Sequence, residues 1–333
     1  MLSTAALAVL LVLGSDADPA LRVEAPPERA YSAFSADPAR RFDFWIGTWD
    51  VNLRMLQDDL TFADRIRAEA SIYPILDGKA ILELWDSRPI QGFSLRYHDP
   101  QADAWVLWLD WPQPNGSRLG RLTGSFRHGR GEFGASFPNA DGETVDSVYA
   151  FSDVTPFSLR WDDRYSTDGG KTWKGNWVME FTRTAVDPVW PIRRNRIPTY
   201  VDGGRCDEGR FRQQELLAGS WRGEGTRFEF FPVLDGCAVI GFLEFEDGAD
   251  EFVFLTFDTT AERFVTAVLD DRPGTGLVRY ENVHGGIGRY EAENEGELEW
   301  TVSHRPPGNL GDPGDRLRYE RGDRVVTVER IAD

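Results

Sequence analysis

The chain has 333 residues, with 55 Asp or Glu against 37 Lys or Arg, so its formal net charge is -18. No basic stripe offsets this excess, so the charge argues against binding to nucleic acid phosphates or to an anionic membrane surface. The length fits two domains, and the 33 glycines, 19 prolines, 12 tryptophans and 21 phenylalanines favour turns and aromatic-rich strands over helices.

The N-terminus has the pattern of a secretory signal peptide. Residues 5–13 (AALAVLLVL) form an apolar run that is too short to span a bilayer, and the small residues Ser15 and Ala17 follow it. This pattern predicts a signal peptide over residues 1–17, although no Lys or Arg precedes the apolar run. We therefore expect a periplasmic or secreted protein with no stable membrane insertion after cleavage, and a mobile leader over residues 18–37.

The only cysteines are Cys206 and Cys237. Two cysteines exclude a disulfide-dense scaffold and a thiolate metal cluster. The sequence leaves two alternatives open, which are a single bridge in an exported protein and two unpaired thiols.

The rest of the chain contains an internal repeat, which is the first feature to seek in an unknown sequence. Residues 46–49 (IGTW) recur as 218–221 (AGSW), residues 73–80 (YPILDGKA) as 231–238 (FPVLDGCA), and residues 180–183 (EFTR) as 327–330 (TVER). The repeat predicts one domain over residues 38–185 and a second over 211–333. Residues 186–210, rich in Pro, Gly and Arg, form the predicted linker.

Within each copy the hydrophobic pattern alternates with the period of two that is typical of strands. The predicted helices are short, covering residues 39–45 and 211–218, and each directly precedes a Gly-x-Trp segment. Many short antiparallel strands with one short helix predict a closed barrel, because closure removes exposed strand edges. The expected fold is all-β, with two tandem antiparallel barrels that each open with a short helix.

A short helix leading into Gly-x-Trp on the first strand, with an Arg on the last strand, resembles the calycin superfamily of lipocalins and fatty-acid-binding proteins. The resemblance implies that Trp49 packs on Arg183, and Trp221 on Arg330, at the closed end of each barrel. Residues 42–49 (FDFWIGTW) and 166–173 (STDGGKTW) are also similar to an uncharacterised bacterial lipocalin-like family. These resemblances imply a barrel that binds an apolar ligand, without a settled activity.

Other motifs have simpler explanations. Residues 166–173 also fit the Asp-box of sialidase propellers, but that box occurs once here, and the segment is predicted to be a hairpin turn. Residues 219–225 (GSWRGEG) resemble the start of haem-binding nitrobindins, yet no His lies in the final strands. The four histidines lack metal-site spacing and are predicted to lie at the surface. We therefore expect neither a cofactor nor a bound metal.

Positions at which the two copies differ point to a site in the first copy. Glu83 is matched with Gly241, and Arg96 with Thr256, while Trp108 and Asp110 are matched with Ala267 and Leu269. A buried charge is costly unless it is paired, so an inward Arg96 would need Glu83 or Asp110 as its partner. The candidate ligand-binding residues are Glu83, Trp85, Arg96, Trp105, Trp108 and Asp110.

The sequence is therefore most consistent with an exported protein that binds a small, mostly apolar ligand in its first barrel. One alternative is a cofactor-independent cyclase, hydratase or isomerase with Glu83 or Asp110 as general acid or base. Another is a structural or protein-binding module with filled barrels. An isolated carboxylate in an open cavity would favour the enzyme, and paired charges in an open cavity would favour the binding protein.

Overall fold

The structure is a computed structural model. It describes residues 28–57, 59–63, 65–87, 90–112, 119–139, 141–188, 206, 210–272, 274–283, 289–292, 296–303 and 312–332. The expected signal peptide, most of the expected linker, His284 and His304 lie outside these residues.

The described residues form two closed antiparallel barrels of ten strands each, which confirms the expected all-β class. In the first barrel, neighbouring strands follow the chain order, and β1 pairs with β10 to close the sheet. Its strands are β1 Gly47–Met55, β2 Ile66–Ile75, β3 Ala80–Asp86, β4 Gln91–Asp99, β5 Ala104–Asp110, β6 Gly120–Arg127, β7 Arg130–Pro138, β8 Thr144–Ser152, β9 Ser158–Ser166 and β10 Lys174–Ala185.

The second barrel has the same topology, with β11 paired to β20. A five-residue helix, α1 (Phe211–Glu215), precedes it. Its strands are β11 Gly219–Gly223, β12 Thr226–Val233, β13 Ala238–Phe245, β14 Glu251–Asp258, β15 Arg263–Asp270, β16 Val278–Asn282, β17 Arg289–Ala292, β18 Gly296–Ser303, β19 Arg316–Arg321 and β20 Arg324–Arg330.

The segment before β1 is made of short 3-10 helices, at Glu28–Phe34, Pro38–Arg40 and Asp43–Trp45, and a fourth lies between β2 and β3 at Leu76–Gly78. Residues 28–37 were expected to belong to a mobile leader, but they pack against the barrel. Ala33 is buried, and the backbone N–H of Phe44 donates to Ser32 Oγ at 2.6 Å. The described part of the leader therefore belongs to the folded domain.

An arginine closes the end of each barrel. The guanidinium carbon of Arg183 lies 4.0 Å from the centre of the Trp49 ring, and that of Arg330 lies 4.1 Å from the Trp221 ring. The first strand must neighbour the last once the sheet closes, so Trp49 pairs with Arg183, and Trp221 with Arg330, across the closing ladder. The two copies therefore share the same closed-end geometry.

Close packing against Arg183 explains why the Gly-x-Trp segment begins with a glycine. Arg183 donates to the carbonyls of Phe44 at 2.5 Å and Ile46 at 2.6 Å, which brings its guanidinium over the start of β1. A Cβ on Gly47 would lie 2.5 Å from Arg183 Nη1, and the φ of Gly47 is +138°, which disfavours other residues. Burial lowers the pKa of Arg183 to about 10.

The two barrels pack against each other through the outer face of β4. The Phe93 ring stacks on Phe254 with 4.0 Å between centroids, and on Phe252 with 6.3 Å. The backbone N–H of Leu277 donates to the Tyr97 hydroxyl at 3.1 Å. One continuous cluster of buried apolar residues therefore runs from the outside of barrel one into barrel two.

A disulfide joins Cys206 to Cys237, with 4.9 Å between the two Cα atoms. Of the two alternatives that the sequence left open, the structure has the bridge. It ties the end of the linker region to the start of β13, and both cysteines are buried. The bridge closes a loop of 31 residues, which restricts the unfolded chain more than the folded one.

Candidate functional site

The candidate site lies inside the first barrel, on the inner faces of β3 and β4. Alternation along β3 places Glu83 and Trp85 on the inner face, while Leu82 faces the second barrel. On β4 the inner residues are Ser94 and Arg96. The two strands thus place three polar side chains at one depth in an otherwise apolar interior.

Glu83 and Arg96 form a buried ion pair. Arg96 Nη2 donates to Glu83 Oε2 at 2.8 Å, and Ser94 Oγ donates to the same oxygen at 2.6 Å. The Arg96 side chain is 5% exposed and that of Glu83 is 11% exposed. A pair this deep is stable only because each charge has its partner and because the hydroxyl adds a hydrogen bond.

Aromatic rings surround the guanidinium of Arg96. Its central carbon lies 5.3 Å from the Phe42 ring, 5.4 Å from Trp45 and 5.5 Å from Phe151. These distances are within the range of cation–π attraction, which strengthens when water is excluded. Burial lowers the pKa of Arg96, and the charge of Glu83 opposes that shift.

A cavity of about 40 Å³ lies beside this pair. Its walls are mostly aromatic or aliphatic, and include Trp45, Trp85, Leu109, Trp111 and Met179. That volume admits water molecules, whereas pockets for drug-sized ligands measure roughly 300–1,000 Å³. A larger ligand therefore requires a side chain to move.

The side chain best placed to move is Trp111. It is half-buried, and its ring contacts the fully buried Trp85 with 5.5 Å between centroids. It also fills the space above Gly92, where a Cβ would lie 2.2 Å from the indole. Rotation of this ring would enlarge the cavity without moving a strand.

The groups around the cavity that lack partners are all hydrogen-bond donors. Arg96 Nε and Nη1, Trp45 Nε1 and Trp85 Nε1 are buried with no partner in the protein. An unpaired buried donor costs on the order of 1–3 kcal/mol. A guest with a hydrogen-bond acceptor would remove part of that cost.

The remaining predicted residues lie elsewhere. Trp105 is inside the barrel but packs on Phe42, and its Nε1 donates to the Pro38 carbonyl at 2.9 Å. Trp108 is on the outer face of β5 and its Nε1 donates to the Tyr97 hydroxyl at 3.4 Å. Asp110 shares that outer face, so neither Trp108 nor Asp110 lines the cavity. The partner of Arg96 is therefore Glu83.

The strand register corrects one of the matches between the copies. Ile81 pairs with Arg96 in barrel one, and the equivalent Val239 pairs with Leu255 in barrel two. The counterpart of Arg96 is therefore Leu255, one residue from the expected Thr256, which lies on the other face. A shift of one residue exchanges the two faces of a strand.

The interior of barrel two is apolar at this depth. The ring of Phe230 occupies the space that a side chain at Gly241 would need, because a Cβ there would lie 2.5 Å from it. Barrel two thus has Gly241 and Leu255 where barrel one has Glu83 and Arg96.

Barrel two has a different polar cluster, which sequence reasoning missed. Arg321 Nη1 donates to Glu251 at 3.1 Å and to Asp270 at 3.2 Å, and its Nε donates to the Tyr280 hydroxyl at 2.9 Å. The Tyr319 hydroxyl donates to Glu251. Three of these residues, Glu251, Tyr280 and Arg321, line an open depression of about 920 Å³.

The two carboxylates of this cluster are compensated by Arg321, by Arg324 on Glu251 and by Arg272 on Asp270. Burial raises the pKa of Glu251 against the opposing effect of Arg321, and burial together with Glu251 raises the pKa of Tyr319. Both oxygens of Glu251 accept hydrogen bonds. We therefore interpret the cluster as a structural network that holds β14, β15 and β19 together.

Other motifs from the sequence resolve simply. Asp168 accepts from the backbone N–H groups of Lys171 at 3.0 Å and Thr172 at 2.9 Å, as expected for a hairpin turn. His98 was expected at the surface, but its side chain is only 11% exposed and it lies against Trp105.

Within the described residues, no group of three or more His, Cys, Asp or Glu could hold a metal ion. No helix in the described part of the chain is long and apolar enough to cross a membrane.

Comparisons with known proteins give little functional information. No family model matches the chain, and no curated protein matches it. The chain is similar to the crystal structure of a protein of unknown function from the DUF3598 family of Nostoc punctiforme. The two are 10% identical with a TM-score of 0.25, over 86% of this chain and 96% of the other.

Proposed function

We propose that the protein is an exported binding protein, built from two calycin-like barrels, which holds a small, mostly apolar ligand in its first barrel. The observation that carries this proposal is the Glu83–Arg96 pair beside a cavity with aromatic walls and unpaired donors. Binding pockets typically combine an apolar lining with a few polar groups that orient the ligand.

The state of Glu83 favours binding over catalysis. A general acid or base needs a carboxylate that can exchange a proton with substrate, and Oε2 of Glu83 is held by Arg96 and Ser94. The other candidate base, Asp110, lies outside the barrel. The cavity, which would widen if Trp111 rotated, supports a binding role over a filled structural module.

Two observations support export. The apolar run at residues 5–13 is followed by small residues at cleavage spacing. The Cys206–Cys237 bridge is typical of an oxidising compartment. N-terminal sequencing of the extracytoplasmic fraction should therefore give a mature chain that starts near Asp18, and intact Met1 in a cytoplasmic pool would contradict export.

Titration with N-phenyl-1-naphthylamine, an uncharged apolar probe that fluoresces when sheltered from water, tests the site. Leu109→Trp fills the cavity in barrel one, and Val268→Trp makes the same change at the equivalent position of barrel two, since Leu109 pairs with Ser94 and Val268 with Val253. The full chain should bind the probe saturably, Leu109→Trp should abolish binding, and Val268→Trp should retain it.

Trp111→Ala provides a second measurement that does not depend on overpacking. Removing the indole enlarges the cavity, so the probe should bind at least several-fold more tightly. Loss of binding in Val268→Trp but not in Leu109→Trp would place the site in barrel two. If neither the wild-type chain nor Trp111→Ala binds the probe saturably, the proposed function is contradicted.

A further inference from the structure

The charge balance of the barrel-one cavity restricts what a ligand can present to Arg96. The guanidinium carries one positive charge and Glu83 one negative charge, with 2.8 Å between the bonded atoms. The pair is therefore neutral as a unit before any ligand arrives.

Glu83 and Arg96 are the only charged side chains among the described residues that line the cavity. Tyr149 lines the cavity, and burial, with a contribution from the charge of Asp163, raises its pKa to about 12. The Tyr149 hydroxyl thus stays uncharged at neutral pH and cannot compensate the charge of an anion.

The unpaired groups around the cavity determine which hydrogen bonds a ligand can make with the protein. Arg96 keeps Nε and Nη1 without partners although Nη2 is bonded to Glu83, and the two indole N–H groups of Trp45 and Trp85 are unpaired as well. All four are N–H donors, so the matching ligand group is an acceptor.

A carboxylate would satisfy these donors but would leave one negative charge uncompensated in a dry interior. Burying an uncompensated ion costs several times more than the hydrogen bonds return. A ketone, aldehyde or amide carbonyl satisfies the same donors without adding charge.

Resting on the proposed function, we infer that the ligand presents an uncharged carbonyl-type acceptor to Arg96 and that the site discriminates against carboxylates. Glu83 is the specificity-determining residue, because its charge already neutralises the arginine. Ser94 has a positioning role, since its hydroxyl holds the Glu83 oxygen that faces Arg96.

Competition against bound N-phenyl-1-naphthylamine on the full chain tests this inference. Acetophenone carries a neutral carbonyl, benzoate a carboxylate of similar shape, and α-methylstyrene replaces the carbonyl oxygen with a methylene group. Acetophenone should displace the probe at concentrations at least about tenfold below those needed for benzoate or α-methylstyrene, which corresponds to about 1.4 kcal/mol.

The variant Glu83→Gln makes the sharper test. It removes the negative charge and leaves Arg96 as a lone cation, so the preference should reverse in favour of benzoate. The matched control Ser94→Ala removes a hydrogen bond but keeps both charges, so it should retain the preference for acetophenone. A structural role for Glu83 alone would change stability but not reverse the ranking.

The outcomes separate the two proposals. Saturable probe binding with benzoate equal to or better than acetophenone in the wild-type chain overturns the inference and leaves the proposed function standing. Equal displacement by acetophenone and α-methylstyrene overturns it as well. Absence of probe binding overturns the proposed function. If Glu83→Gln does not fold, the wild-type ranking decides alone.

Discussion

Arg183 combines two kinds of interaction at the closed end of barrel one. Its guanidinium lies over Trp49 and also donates to backbone carbonyls of the preceding segment, and its Nε donates to the Pro156 carbonyl at 2.7 Å. A planar group with five donors can do both, whereas an ammonium cannot. This explains why an arginine occupies the equivalent place in both copies.

Replacing Arg183 by Met should lower the free energy of unfolding by on the order of 1–3 kcal/mol, because packing and charge contact are both lost. Arg183→Lys should cost less but remain measurable. Arg160→Met on the neighbouring strand is the control, since that side chain is 45% exposed. Denaturant unfolding would measure all three, and equal effects of Arg183→Met and Arg160→Met would refute the argument.

The same arginine restricts which residue can occupy position 47, where the chain has Gly47. Gly47→Ala introduces a Cβ 2.5 Å from Arg183 Nη1 at a φ of +138°, so it should destabilise by about 1–3 kcal/mol or more. Gly120→Ala is the matched control, since its Cβ would meet nothing closer than 3.8 Å. Thermal unfolding of both variants would compare them, and a silent Gly47→Ala would show that the close approach does not constrain this position.

At the scale of elements, the short 3-10 helix Asp43–Trp45 closes barrel one and carries a buried carboxyl. Burial raises the pKa of Asp43 to about 6 from an ordinary 3.8, although Arg40 opposes the shift. The folded state therefore holds this proton more tightly than the unfolded state does. The contribution of Asp43 to stability is complete below about pH 4 and is lost as pH rises through about 6.

Asp43→Asn should remove this dependence. Relative to the variant, the wild-type chain should lose on the order of 3 kcal/mol between pH 4 and pH 7, from a shift of about two units. Unfolding free energies measured across that range for both proteins would show it. Parallel stability curves for the two would mean that Asp43 does not titrate in this window.

The elements of the fold were predictable where a single face is buried, and were ambiguous where both are. On β5, Leu107 lines the cavity of barrel one while Val106 packs toward barrel two, so the alternation that identifies an inner face is absent. For that reason the sequence could not exclude Trp108 and Asp110 from the interior. Glu83 and Arg96 were predicted as site residues because their charges stand out in apolar strands.

The polar cluster of barrel two could not be predicted for a different reason. Glu251 follows an acidic turn and resembles a surface residue, and its partner Arg321 lies 70 residues later. Only barrel closure brings them together. Both faces of β14 are buried, so no local alternation shows that this carboxylate points inward.

At the scale of the whole molecule, the two barrels share buried surface. Phe93 of barrel one is 2% exposed and stacks on Phe254 of barrel two. Lys79 Nζ donates to the Asp271 carbonyl at 2.9 Å across the same junction. The two barrels are therefore packed against each other, and the Cys206–Cys237 bridge fixes the end of the linker region to barrel two.

The double variant Phe93→Ala/Phe254→Ala should weaken the contact, since each lost ring costs on the order of 3–5 kcal/mol when buried. In calorimetry, we expect the unfolding transitions of the two barrels to lie further apart in temperature in the double variant than in the wild-type chain. Phe137→Ala, which removes a ring that is 39% exposed, should leave the profile unchanged. An unaltered profile for the double variant would show that the barrels unfold independently already.

The central claim is that Arg96 holds a ligand inside barrel one, and native mass spectrometry tests it most directly. The full chain, purified from its own host, should retain a small organic molecule that is absent from Arg96→Met. It should still be present in Arg183→Met, which also loses a buried arginine of barrel one but leaves the cavity lining intact. A mass that equals the bare chain in the wild-type protein, or a ligand that persists in Arg96→Met, would contradict the account.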